Sequence, residues 1–221
     1  KQKQQFIDNF SHELRIPLTA IYGYAEYIQK ALMSEEERYE CTQFIMSECS
    51  RLQNMAYQLL DMALLRREEM KDSNCSIKEL FAESEKIMYM RALEKNIRLT
   101  YVLSQNYVVR GNMEQLLILT NNLIDNAIKA SRQEDEIRIC AYSEKSAIII
   151  EVEDYGIGIE IEQISHIKEA FYRVDKARSR AAGGAGLGLA ICEKIIQIHH
   201  ADMSFISEPG VGTTVKLSFP V

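Results

Sequence analysis

Apolar residues recur at heptad spacing through the first part of the chain, and that repeat restricts it to helices that pack side by side. Ile7, Leu14, Ile21 and Ile28 form one row and Phe10, Pro17, Tyr24 and Ala31 the next, so Lys3 to about Leu32 reads as a bundle-forming helix. Ser34, followed by Glu35, Glu36 and Glu37, supplies an N-cap and an acidic first turn for a second helix. In that helix Ile45, Leu52 and Leu59 share a row, and Met55 and Met62 fill the adjacent one. So short a turn makes the helices antiparallel, and a lone hairpin gives each apolar stripe a single partner. Pairing of two hairpins into a four-helix bundle is the economical solution, which predicts a homodimer.

The heptads stop at Lys71-Asp72-Ser73-Asn74, a polar stretch that divides a helical hairpin, 1–70, from a second domain, 71–221. In the second domain Ser76 to about Lys95 reads as a helix, Ile97–Leu103 and Tyr107–Arg110 as strands, and Met113–Ser131 as a helix. Ile137–Tyr142 and Ala147–Glu153 read as strands, Ala185–His199 as a helix, and Met203–Ser207 with Thr213–Phe219 as a closing strand pair. The expected fold class is α+β: an antiparallel hairpin, then an α/β sandwich with one helical layer on a mixed sheet.

Composition narrows the function. Of 221 residues 47% are hydrophobic, enough for a real core, and the net charge of −6 is interspersed, with no basic face for a phosphate backbone. Nucleic acid is not expected as a partner. No stretch of about 18 uncharged apolar residues occurs, so this fragment is expected to be soluble and without direct membrane contact. It begins at Lys1 rather than methionine, as an excised piece of a longer protein would. Cys41, Cys49, Cys75, Cys140 and Cys192 are odd in number and form no C-x-x-C pair, so they read as reduced cytosolic thiols.

With Ile7 at heptad position a and Phe10 at d, His12 falls at f and faces away from the bundle core. A lone histidine is more often an ordinary surface residue than a reactive one, but its neighbours here are informative. Glu13 can hold one ring nitrogen's proton and leave the other a lone pair able to attack phosphorus. Pro17 removes a backbone hydrogen bond just beyond the site, and Arg15 is either an anion partner or a solvated residue.

In the second domain Asn122, Asn126 and Lys129 return to one helix face at i, i+4 and i+7. Amide oxygens ligate hard cations and a lysine meets phosphate. Asp154-Tyr155-Gly156-Ile157-Gly158 ends a strand with a carboxylate that can accept from an amino group and glycines that let backbone approach a ligand. Gly183-Gly184-Ala185-Gly186-Leu187-Gly188-Leu189 then opens a helix, where backbone N–H groups converge on an anion. Each motif is weak alone; their order along the chain is much stronger.

The run Phe10-Ser11-His12-Glu13-Leu14-Arg15-Ile16-Pro17-Leu18-Thr19 resembles the H box of the HisKA class of sensor histidine kinases. The resemblance implies that His12 is autophosphorylated, that Glu13 is its general base, and that the dimeric hairpin docks a response regulator. Residues 76–221 resemble the N, G1, F, G2 and G3 boxes of the GHKL ATP-binding fold. By position this implies ATP and Mg²⁺ as cofactors, with Asn126 and Asn122 at the metal, Lys129 at phosphate, Asp154 at the adenine amino group, and Gly156 and Gly158 shaping the adenine pocket. Gly184, Gly186, Leu187 and Gly188 correspond to the phosphate loop and Thr213 and Thr214 to the last box. Arg173, within Phe171-Tyr172-Arg173, is the counterpart of a catalytic phosphate contact, with Arg178 and Arg180 as further basic residues in a lid.

The whole implies the cytoplasmic portion of a membrane-anchored bacterial sensor. Two departures stand out. Ile16 occupies a place usually held by Thr or Asn, which counts against phosphatase activity on the partner, and Lys168 and Ala170 stand where the F box more often has Phe and Pro. Asn122 also stands where ATP-hydrolysing relatives carry a water-activating glutamate, and an anti-sigma serine kinase would lack the His12 hairpin. A rival from another class is a catalytically silent dimeric scaffold whose nucleotide pocket acts only as a switch.

Overall fold

A computed structural model describes residues 2–65, 73–174 and 186–220. They form two compact units, one comprising Lys1–Asp61 with Ala170–Leu187 and the other Met62–Glu169 with Gly188–Val221.

The first unit is built on helices α1 (Gln2–Lys30) and α2 (Glu35–Leu65). The turn between them closes on a capping box: Ser34 Oγ accepts from the Glu37 N–H at 3.2 Å, and the Glu37 carboxylate accepts from the Ser34 N–H at 2.8 Å. These bonds, the backbone donor first, hold the Glu37 carboxyl below the ordinary carboxylate range. Tyr24 of α1 and Phe44 of α2 stack with ring centroids 4.3 Å apart. Pro17, Cys41, Arg51 and Met55 are buried, whereas Ile45, Leu52 and Leu59 are half-buried and Ile7, Leu18 and Tyr22 are exposed. Part of each helix's apolar surface is therefore left uncovered. Helix α1 runs through Pro17, which cannot donate to the Glu13 carbonyl.

In the second unit β1 (Ser73–Ser76) pairs antiparallel with β3 (Val108–Gly111). The main sheet has the order β2 (Arg98–Leu103), β4 (Glu136–Glu144), β5 (Ala147–Asp154), β7 (Gly212–Pro220), β6 (Asp202–Glu208). Only β2 and β4 run parallel; the other neighbours are antiparallel. Helices α3 (Ile77–Glu94), α4 (Met113–Ala130) and α6 (Gly188–Ile198) form one layer, with α4 between the other two and against β4 and β5. A short helix, α5 (Ile161–Ile164), follows the loop after β5. The core is the inward face of the sheet, Ile137, Ile139, Ile150, Val152, Leu217 and Phe219, closed by Leu80, Leu116, Leu119, Leu123, Ile191 and Ile195. The mixed sheet with one helical layer is as expected from the strand and helix periodicities. Among the described residues no helix is long and apolar enough to cross a membrane.

The structure differs from the sequence reading at several ends. Ser73–Ser76 is a strand rather than linker, and Ser76 serves as the N-cap of α3, accepting from the Glu79 N–H at 3.3 Å. Helix α3 stops where Asn96 turns left-handed (φ 53°) and the Ile97 N–H reaches back to the Ala92 carbonyl, so the strand starts at Arg98. Helix α6 begins at Gly188, not Ala185, because Gly186 has φ +73°.

His199, just past α6, is buried, and its Nε2 accepts the Asn112 N–H at 3.1 Å while Nδ1 lies 2.8 Å from the Ile195 carbonyl. Asn112 is the N-cap of α4, so a neutral imidazole completes that helix start. Burial, chiefly, lowers the His199 pKa from 6.5. The unfolded chain then binds the proton more readily, so this residue's contribution is intact above pH 6.5 and is lost as pH falls below it. Thermal melting should therefore fall on acidification more steeply for the wild type than for His199→Phe. That variant loses the acceptor for Asn112 and should cost about 1–3 kcal/mol at neutral pH.

Candidate functional site

Asp154 is the last residue of β5, paired with Ile137 on one side and Thr213 on the other. Its buried carboxylate accepts the Gly156 N–H at 3.0 Å and a second backbone donor, Thr213. Burial pushes its pKa up to about 6, against the downward pull of the two N–H groups. The turn that follows is tight. A Cβ on Gly156 would lie 2.5 Å from the Ala130 carbonyl oxygen, and Gly158, at φ +66°, leaves only 2.0 Å to that of Glu208. Ser207, which no motif singled out, and the turn glycine Gly210 complete this corner. The Ser207 hydroxyl accepts from the Ile159 N–H at 2.8 Å and lies 2.8 Å from Thr213 Oγ1. The Gly210 N–H bonds the Ile157 carbonyl at 2.7 Å. Strand alternation separates the two threonines: Thr213 lies on the buried face of β7 and Thr214 on the opposite, half-buried face beside Glu153.

On α4, Asn122 Nδ2 donates to the Ile118 carbonyl at 2.9 Å, and Oδ1 faces the start of α6. A Cβ at Gly188 would stand 2.8 Å from that oxygen, so glycine keeps the space between α4 and the start of α6 open. Asn126 and Lys129 lie half-buried on the same helix, and the Lys129 ammonium is 2.7 Å from Asp125, which also pairs with Arg91. Asn121 has a structural duty, accepting from the Ser84 hydroxyl at 2.7 Å. An amide oxygen beside a cradle that a side chain would fill suits a hard cation. No cluster of His, Cys, Asp or Glu able to hold a metal occurs among the described residues. Gly186 accepts the Phe171 N–H at 2.7 Å and Leu187 is fully buried. Gly184, Arg178 and Arg180 lie outside the described residues.

On α1, His12 is exposed, as heptad position f requires, and Ile16 is half-buried. Glu13 meets two cations at a single oxygen: its Oε2 accepts from Arg51 of α2 at 3.0 Å and from Arg173 at 2.7 Å. Both guanidiniums are almost fully buried. The structure thus joins Glu13 and Arg173, which the sequence motifs assign to different boxes. Lys168 lies 3.0 Å from Glu193, donates to the Met203 carbonyl at 3.2 Å and sits 5.8 Å from the Phe205 ring centroid. These contacts tie Lys168 to α6 and β6.

Comparison with known proteins identifies both parts of the chain. Residues 2–68 match the His Kinase A (phospho-acceptor) domain, and residues 111–221 match the histidine kinase-, DNA gyrase B-, and HSP90-like ATPase family. The sensor protein SrrB of Staphylococcus aureus is 33% identical over 224 residues, an alignment that takes in 100% of this chain and 38% of that protein. The chain therefore spans well under half the length of the curated relatives it matches. Among solved structures, histidine kinase ThkA in complex with the response regulator protein TrrA is similar at a TM-score of 0.79 and 22% identity, covering 98% of this chain and 61% of that one. Full-length ShkA in complex with AMPPNP gives 0.68 and 24%, over 100% and 46%. Acinetobacter baumannii histidine kinase AdeS gives 0.72 and 19%, over 95% and 97%. At these identities the structural likenesses establish the fold.

Because Asp154 has a raised pKa when folded, its buried charge costs stability above pH 6, and the cost is relieved as pH falls from about 6 towards 3.8. Asp154→Asn should melt higher than the wild type at neutral pH, by on the order of 1 kcal/mol, with the difference closing in acid. A pH series of melting curves for the two proteins reads this directly.

Proposed function

This chain belongs to the sensor histidine kinases of two-component systems, a phosphoacceptor hairpin followed by an ATPase-type domain, and on that premise we propose that it transfers the γ-phosphoryl group of ATP to His12 and then to an aspartate of a response regulator. The observation that carries this reading is the exposed His12 on a hairpin whose Glu13 shares a buried ion-pair cluster with Arg173. We assign 1–70 to dimerisation and phosphotransfer and 71–221 to catalysis.

In the catalytic domain Asp154 accepts from the adenine amino group, Gly156 and Gly158 admit the base, and Thr213 braces the carboxylate through its N–H. Thr214, on the far face of β7, acts only through the backbone. Gly184, Gly186, Leu187 and Gly188 form the phosphate loop, and Lys129 exchanges Asp125 for phosphate. Asn122 and Asn126 would hold Mg²⁺, which supplies charge neutralisation at the triphosphate. Arg173 takes the γ-phosphate when nucleotide is loaded.

Transfer is in line. The lone pair of one imidazole nitrogen forms the N–P bond as the bond to the β,γ-bridging oxygen breaks and ADP leaves, while Glu13 takes the proton of the other ring nitrogen. The phosphohistidine then yields its phosphoryl group to an aspartate carboxylate of the regulator, and the N–P bond breaks. ThkA with TrrA is a precedent for such a partner. Ile16 offers no polar group to orient water, so phosphatase activity on the regulator is weak or absent. The uncovered apolar surface at Ile7, Leu18 and Tyr22 supports a homodimer. We place the chain on the cytoplasmic side of a membrane-anchored sensor.

Incubation with Mg²⁺ and γ-labelled ATP should give label that is acid-labile, alkali-stable and absent from His12→Gln. Label persisting in that variant would move the phosphosite, and no label despite ATP binding would favour the silent scaffold. The affinity for an ATP analogue should also weaken as pH falls through about 6, because protonated Asp154 is a poorer acceptor for the adenine amino group. Binding titrations across that range check it.

A further inference from the structure

Arg51 is a cation on the inward face of α2, 4% exposed. Its NH2 donates to Glu13 Oε2 at 3.0 Å and its NH1 to Glu48 Oε2 at 3.3 Å, while Nε is buried with no hydrogen-bond partner. A buried guanidinium with an unmet donor is a poor stabiliser, since an apolar side chain of similar volume is often neutral or better in such a place. What the arrangement does achieve is direction. Glu48, one turn earlier on the same helix, clamps one arm of the guanidinium, and the other arm is thereby aimed across the hairpin at Glu13.

Glu13 Oε2 also accepts from Arg173 at 2.7 Å. Arg173 is required at the γ-phosphate and Glu13 at His12, so the bond between them must open when nucleotide is loaded. The bond to Arg51 has no such reason to open, because Arg51 is anchored on its own helix and shielded from solvent.

We propose that Arg51 is the positioning residue of the phosphoacceptor site: it keeps the Glu13 carboxylate oriented towards its work on His12 after Arg173 has left for the nucleotide. The proposal rests on the reading of Glu13 as the group that takes the His12 proton. It makes the Glu13–Arg173 bond a resting arrangement and the Glu13–Arg51–Glu48 chain the permanent one. Arg51 acts only through Glu13 and touches neither ATP nor His12.

A double-mutant cycle on initial rates of His12 labelling tests this. Arg51→Met should slow labelling at saturating ATP by about 10²-fold, the scale of general-base catalysis, with the KM for ATP unchanged. Arg51→Lys, which retains the charge but not the two-armed clamp, should fall between Arg51→Met and wild type. In a Glu13→Gln background neither substitution should slow labelling further. If Arg51→Met slows the Glu13→Gln protein by the same factor as it slows the wild type, or raises the KM for ATP in step with the rate loss, the role is structural and the assignment is wrong. Should Arg51→Met fail to fold, as melting would show, the Arg51→Lys arm of the cycle decides by the same criterion. Wild-type labelling rates in Glu13→Gln alone would remove the base and this proposal together, while His12 labelling itself still tests the kinase reading.

Discussion

The second unit hangs from the last residue of one strand. β5 is bonded on both edges, to β4 and to β7, so its register has no freedom, and that register ends with a carboxylate, Asp154, buried between Ile137 and Thr213. Its compensation is two backbone N–H groups, and against burial they do not suffice to hold its pKa down. The surrounding backbone is shaped to that end. Side chains are excluded at Gly156 and Gly158 by the Ala130 and Glu208 carbonyls, and at Gly212 by the carbonyl of Asp154 itself. A group with an N–H to offer would relieve the carboxylate, which is what the proposed adenine contact supplies.

Glu13 has the opposite surroundings. Two guanidiniums converge on one of its oxygens, so its charge is compensated by formal cations rather than by dipoles. Dipoles are fixed by the fold, whereas an ion pair can be exchanged for another anion. The difference suits the two proposed roles: Asp154 would receive an adenine ring that the reaction leaves unchanged, and Glu13 would exchange one of its partners. Lys129 resembles Glu13 in this respect, since its ammonium is held by Asp125 and a phosphate would compete for it.

Much of this was legible in the residues. Heptad spacing determined both long helices and the outward face of His12, because the 3.5-residue repeat that turns Phe10 and Pro17 inward necessarily turns His12 out. Alternation determined the sheet strands to within a residue or two. What escaped notice were features that depend on a distant partner. Ser73–Ser76 has the composition of a linker and is a strand only because β3 lies beside it. Thr213 and Thr214 match one motif together, yet a strand sends neighbours to opposite faces. Arg51 has the residue type of a surface position, and only its partners Glu13 and Glu48 make its burial intelligible. Lys168 stood out only as a departure from the usual Phe, and its contacts with Glu193 and the Met203 carbonyl were not legible.

The hairpin's own packing argues for a partner. A two-helix hairpin can bury only the line along which the helices touch, and here that line runs through Pro17, Cys41, Arg51 and Met55. The rows Ile45, Leu52 and Leu59 on α2, and Ile7 and Leu18 on α1, lie to its side and are half-buried or exposed. Scattered exposed apolar residues would need no explanation, but these recur with helical periodicity on both helices. A second copy of the hairpin presents the same rows, and a symmetric pairing would cover them in both copies at once. His12 lies on neither the inward line nor these lateral rows, so a contact that completes the bundle would leave it exposed, as the proposed phosphotransfer needs.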